Sequence, residues 1–307
     1  MTPIHKVPAS AGAHWLLSGL ALLRRAPWAL AVVALSGFFV VMLAVMVGLV
    51  LLLAARFLPG PLVLLPEALN SLLTAGASSF VFAGMLYAVR EVALGRAPQP
   101  RHLFHGFEHP RSLLLVALAP MAAGVLMSLL LIALVGEDAQ KFAAVYAQLQ
   151  QASQAGQQAD PQQLQTILLQ LPLFNLSAWL ALALGIMAVT WCVMMLAVPL
   201  IVFGGQHGLA ALRVAMAAAV RNLAAMLLYL LLLALLLFGV GMAAQVLAVL
   251  LQVLVGPSLA VAIAALLQVA AVLPLLAGGA YQAYHQIFEG IDPAAPARAG
   301  PPNVIAA

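Results

Sequence analysis

The sequence predicts an all-α polytopic membrane fold: six transmembrane helices in three helix-pair repeats, with short interfacial helices between them. Three observations predict it. Of 307 residues, 65% are hydrophobic and 7% charged, with a mean hydropathy of +1.13. A soluble domain carries about 25% charged residues, and so apolar a surface would aggregate in water. Six uncharged runs are each long enough to cross a hydrocarbon core of roughly 30 Å at about 1.5 Å per residue. The cations, finally, alternate between successive connections.

Residues 1–27 read as a cytoplasmic N-terminus carrying an interfacial helix. The first apolar run, 28–55, exceeds the roughly 7–15 residues of a secretory signal core, so it is expected to stay as an anchor. Spans 68–89 and 112–135 complete the first half, 28–136. Residues 137–170 are rich in glutamine. Apolar stripes Phe142, Val145, Tyr146, Leu149 and Leu164, Ile167, Leu168, Leu171 predict a periplasmic helical hairpin there, with Asp160 and Pro161 opening its second helix. Spans 176–203, 223–250 and 259–281 fill the second half, 171–281, and residues 282–307 form a cytoplasmic tail, disordered at its end. No run carries a charge in its interior. One Arg or Asp there would cost about 2.5–3.5 kcal/mol, whereas each Leu, Ile, Phe or Val contributes about −0.3 to −0.6.

Orientation follows from the cations. Ten lie on one side (Lys6, Arg24, Arg25, Arg90, Arg96, Arg101, Arg111, Arg213, Arg221 and Arg298) and two on the other, Arg56 and Lys141. Short positive connections stay inside, so both termini are expected in the cytoplasm of a bacterial inner membrane. The basic clusters lie between apolar runs, which fits contact with membrane lipids rather than nucleic acid.

Three similar segments precede spans one, three and five, ending at Pro27, Pro110 and Asn222. Pro suits a first helical turn and Asn caps one, so each marks a helix start. The spacings are 83 and 112 residues, and the excess of 29 approaches the length of the polar insert. Ala83-Gly84-Met-Leu-Tyr87 also matches Ala277-Gly278-Gly-Ala-Tyr281, and Pro199 before Gly204-Gly205 matches Pro274 before Gly278-Gly279.

Candidate chemistry is sparse. His102, His105 and His109 at i, i+3, i+7 would share one face of an α-helix near Glu108, where three imidazoles could hold a divalent ion; Gly106 and Pro110 argue against that helix. Asn70, Ser71, Thr74 and Ser78 form a polar stripe on span two, and Gln245, Gln252 and Gln268 add amides to spans five and six. Such groups most often bond between helices or to their own backbone. Gly76, Gly84, Gly239, Gly241, Gly278 and Gly279 invite close helix approach, and Pro120, Pro199 and Pro274 invite bends. Cys192 reads as a packing residue, and Glu67 is the acid nearest a span interior. No phosphate loop, dinucleotide turn, HExxH or nucleophile elbow occurs, so no catalytic, cofactor or metal residue is assigned.

The opening Val7-Pro8-Ala-Ser-Ala-Gly12-Ala-His-Trp15 with Gly19 and Leu22-Leu-Arg-Arg-Ala-Pro27, and the ending Tyr281-Gln-Ala-Tyr284-His-Gln-Ile-Phe288, resemble a group of uncharacterised proteobacterial multi-pass inner-membrane proteins. The layout is similar to the membrane domain of bacterial glycerophosphodiester phosphodiesterases, without their catalytic barrel. The resemblance implies a fold and no active site. The function expected is a non-enzymatic envelope or scaffold factor that binds membrane lipids and another membrane or periplasmic protein. The alternatives are a transporter or channel for a neutral or lipid-like molecule and, third, a membrane-bound enzyme.

Overall fold

A computed structural model of the chain describes residues 3–55, 64–136 and 173–291. The elements are α1 (Ala11–Arg25), α2 (Pro27–Ala55), α3 (Leu64–Ala93), a 3-10 helix (Pro100–Glu108), α4 (Pro110–Val135), α5 (Leu173–Val202), α6 (Gly208–Arg221), α7 (Leu223–Val255) and α8 (Pro257–Tyr284), the last closing in a π-helical turn (His285–Glu289). Among the described residues there is no strand. Six helices, α2, α3, α4, α5, α7 and α8, are long and apolar enough to cross a membrane, so the chain is an integral, multi-pass membrane protein. The expected hairpin at 137–170, the connection holding Arg56 and the tail beyond Ile291 lie outside the described residues.

Each span starts or ends a few residues beyond its apolar run, because backbone hydrogen bonding continues where the chain leaves hydrocarbon. Helix α3 runs through Arg90 and Glu91 to Ala93. Helix α7 continues to Val255, about 50 Å at the standard rise, and stops at Gly256, whose φ of 83° no β-carbon residue adopts cheaply, followed by Pro257. Pro27 and Pro110 open α2 and α4 as expected. The prolines 120, 199 and 274 all lie inside helices.

The order short helix, long helix, long helix occurs three times. The chain divides into two compact units, Met1–Leu118 with Cys192–Ala307, and Ala119–Trp191. In the second, Trp179 Nε1 donates to Met127 O at 3.0 Å, tying α5 to α4.

In the first unit, α8 packs against α7, α1, α2 and α3. Helix α1 buries Ala11, Gly12, Trp15, Gly19 and Leu22, a helical stripe. Its glycines bring backbones together. A β-carbon at Gly12 would lie 2.2 Å from Ala225 O on α7, and one at Gly19 would lie 2.8 Å from Leu275 O on α8. Trp15, fully buried, meets Tyr229 edge-on at 6.1 Å and donates to Gln286 Oε1 at 2.7 Å.

The other short helices dock likewise. A β-carbon at Gly106 would meet Phe80 O at 2.6 Å, and one at Gly84 would meet Leu103 Cα at 2.4 Å, fixing the 3-10 helix on α3. Gly208 lets α6 approach the start of α4, where a β-carbon in its place would lie 2.5 Å from Ser112 O. The 3-10 helix thus rests on α3 and α2, α6 meets the start of α4 and packs on α7, and α1 rests on α7 and α8. Gly239 and Gly241, expected at a close approach, instead face open space among the described residues. Nothing packs close enough to require them.

Candidate functional site

The side-chain chemistry of the first unit gathers where α3, α5 and α8 end and the 3-10 helix begins. Its geometry depends on the helix type of Pro100–Glu108. With three residues per turn, side chains at i, i+3 and i+6 eclipse one another. Arg101, Phe104 and Phe107 therefore form one exposed edge, Leu103 and Gly106 are buried on a second, and His102, His105 and Glu108 share the third.

A face shared by His102, His105 and His109 required an α-helix, which Gly106 and Pro110 argued against, and the segment is a 3-10 helix instead. His109 lies just past the 3-10 helix, with non-helical backbone angles and its N–H bonded to Gly106 O, so it does not continue the edge of His102 and His105. Among the described residues no three His, Cys, Asp or Glu side chains are placed to hold a metal ion. His102 Nδ1 instead accepts a hydrogen bond from Gln99 N at 3.1 Å, and its ring stacks on His105 at 5.8 Å. Burial disfavours the imidazolium and lowers the His102 pKa. His105 Nδ1 pairs with Glu108 Oε1 at 2.6 Å, and that hydrogen bond holds the Glu108 pKa below the usual carboxylate range.

A chain of rings leads inward from this edge. His105 lies 4.8 Å from Tyr87. The Tyr87 hydroxyl donates to Val202 O at 3.4 Å. Tyr87 meets Phe203 edge-on at 5.8 Å, with the Arg90 guanidinium over the Phe203 ring at 5.6 Å. Phe203 in turn meets Tyr281 at 5.7 Å and Tyr284 at 5.5 Å. Tyr281 lies 4.4 Å from His285, which pairs with Glu289 across the π turn. Two histidine–carboxylate pairs, each backed by tyrosine, therefore flank one phenylalanine. Three of the five tyrosines in the chain are here.

The N-terminal segment seals this end. His5 N donates to Ile287 O at 2.8 Å, so the N-terminal segment and the end of α8 lie on one side of the spans. Asn222, expected to cap span five, makes no side-chain cap. It is buried, its Oδ1 accepts from Val7 N at 2.9 Å, and its Nδ2 donates to His5 O and Ala218 O.

The polar stripe of span two does not converge with the amides. Ser78 Oγ donates to Thr74 O, Ser71 and Ser78 are exposed, and Asn70 Oδ1 fills the space a β-carbon at Gly48 would need. Gln245 and Gln252 are exposed and Gln268 is half-buried. Cys192 is buried, and Glu67 is exposed in the first turn of α3, where the helix dipole favours a carboxylate.

Sequence reasoning missed Tyr87, Phe203, Tyr284, the His285–Glu289 pair and the Asn222 clamp. The density of aromatics and histidines in 281–288 was the available signal. Comparison with protein-family models, characterised proteins and solved structures returned no match.

Proposed function

We propose that this chain is a non-enzymatic factor of a bacterial inner membrane, with both termini cytoplasmic, that acts by holding a partner protein at the histidine–aromatic end of its helix bundle. One observation carries the reading. Hydroxyls within the spans are turned back on their own helices (Ser36 to Val32 O, Ser78 to Thr74 O, Ser79 to Ala75 O, Thr190 to Ile186 O), while exposed Phe104 and Phe107 stand on the 3-10 helix that carries the His105–Glu108 pair. Aromatic side chains beside a cation such as Arg101 are the composition of protein-contact anchors. The ten-to-two division of cations supports the orientation.

The test is photo-cross-linking in intact membranes from positions 104 and 107. One protein captured from both positions, and lost in the Phe104→Ser/Phe107→Ser variant, is the expected result. Solute flux across proteoliposomes that is abolished by Gln245→Ala would overturn the proposal in favour of a carrier.

A further inference from the structure

Helix α6 turns two different faces to its surroundings. Gly208, Ala211, Ala215, Ala218 and Ala219 are buried, a face of small side chains that lets the helix lie close to the protein. The opposite face carries an open groove of about 710 Å³ lined by Leu212, Arg213, Met216, Ala217, Val220 and Arg221. Met216 and Val220 are 43% and 67% exposed. Among the described residues neither Arg213 nor Arg221 has an ion-pair partner.

The groove's place along the chain narrows what fills it. Helix α6 lies between the end of α5 at Val202 and the start of α7 at Leu223, two helices that cross the membrane, so it sits where spans leave the hydrocarbon. At that depth apolar side chains meet acyl chains and cations meet phosphates. Leu212, Met216 and Val220 recur at i, i+4, i+8, along about 12 Å of helix at 1.5 Å per residue. Arg213, Ala217 and Arg221 recur at the same spacing on the adjoining stripe, so the two guanidiniums flank the small Ala217 beside the apolar strip. A ligand that satisfies the whole surface must combine an extended apolar chain with a negative charge at its polar end.

We propose that the outer face of α6 is a binding site for an anionic glycerophospholipid, its phosphate held by Arg213 and Arg221 and its acyl chain lying on Leu212, Met216 and Val220. The site rests on the membrane-spanning reading alone and is independent of the proposed partner at Phe104 and Phe107. A soluble acidic protein would match the arginines but leave the apolar strip beside them unused. A zwitterionic lipid would match the strip, but its ammonium group would offset the attraction to the cations.

Native mass spectrometry of the full chain, delipidated in mild detergent and titrated with phosphatidylglycerol or phosphatidylcholine of identical acyl chains, tests this. Wild type should retain phosphatidylglycerol in preference. Each basic residue near an anionic lipid surface strengthens binding by about fivefold, so Arg213→Gln/Arg221→Gln should lose roughly 25-fold. Arg213→Lys/Arg221→Lys should keep most of the preference, which separates lost charge from lost fold. Met216→Ser/Val220→Ser should weaken retention with both arginines in place, and millimolar inorganic phosphate should not displace the lipid. Equal retention of the two lipids by wild type, an unchanged preference in the glutamine variant, or displacement by polyglutamate or phosphate would overturn the proposal.

Discussion

At the scale of single residues, His102 links protonation to local structure. Its Nδ1 can accept from Gln99 N only as neutral imidazole, and burial lowers its pKa from the ordinary 6.5. The sign follows from linkage. A folded value below the unfolded one means the contribution is fully present above pH 6.5 and is lost as pH falls through 6.5 toward the folded value. The protection of the Gln99 amide, its exchange rate relative to the intrinsic rate at the same pH, should therefore fall between pH 7 and pH 5. His102→Phe should leave that amide poorly protected at both, and a wild-type protection factor indifferent to pH would rule the mechanism out. Asn222 acts through reach rather than charge. Asn222→Ala leaves Val7 N without its acceptor at a cost of about 1–3 kcal/mol. Exchange at Val7 should rise by roughly ten- to a hundredfold, while the protected centre of α7 stays unchanged.

Among elements, the short helices depend on glycines at their crossings. Gly19→Val places side-chain atoms where Leu275 O and Gly279 N already stand, at 2.8 and 3.0 Å from the β-carbon alone. Such overpacking costs about 1–3 kcal/mol or more. Released α1 would expose Trp15, so its fluorescence should shift to the red. Gly239→Ala is the counterpart, since nothing lies within 4 Å of the new β-carbon. In a helix that change should stabilise by about 0.5–1 kcal/mol, read as a higher detergent midpoint. The 3-10 helix shows where sequence reading reached its limit. His102, His105 and His109 fit an α-helical face by spacing, but a period of three joins the first two to Glu108 and sends His109 elsewhere. Composition cannot reveal which period a nine-residue segment takes. The weak match between Ala83–Tyr87 and Ala277–Tyr281 was more informative than it looked. Both segments offer a glycine to a short helix and a tyrosine to Phe203.

For the molecule as a whole, the six spans were legible because long uncharged runs have one stable solution in lipid, a helix that satisfies its own backbone. Their ends moved by a few residues, since hydropathy falls before hydrogen bonding stops. The site was not legible. It joins Tyr87, Phe203 and Tyr281, brought together by packing, and no local pattern records contacts so distant in sequence. Reporter fusions at Gln99 and His207 should be active only in the cytoplasm and one at Gln157 only in the periplasm; the reverse pattern would invert the orientation.

The seat of α1 has a consequence for biogenesis. Ala225, Tyr229, Leu275 and Gln286, which receive it, leave the ribosome long after Gly12 and Trp15 do. Helix α1 therefore cannot find its place until α7 and α8 have been made, and until then its glycine stripe stands uncovered. The bond from His5 N to Ile287 O can form only after α8 has been made, so a product truncated before it leaves the segment ahead of α1 loose for quality-control proteases to grip.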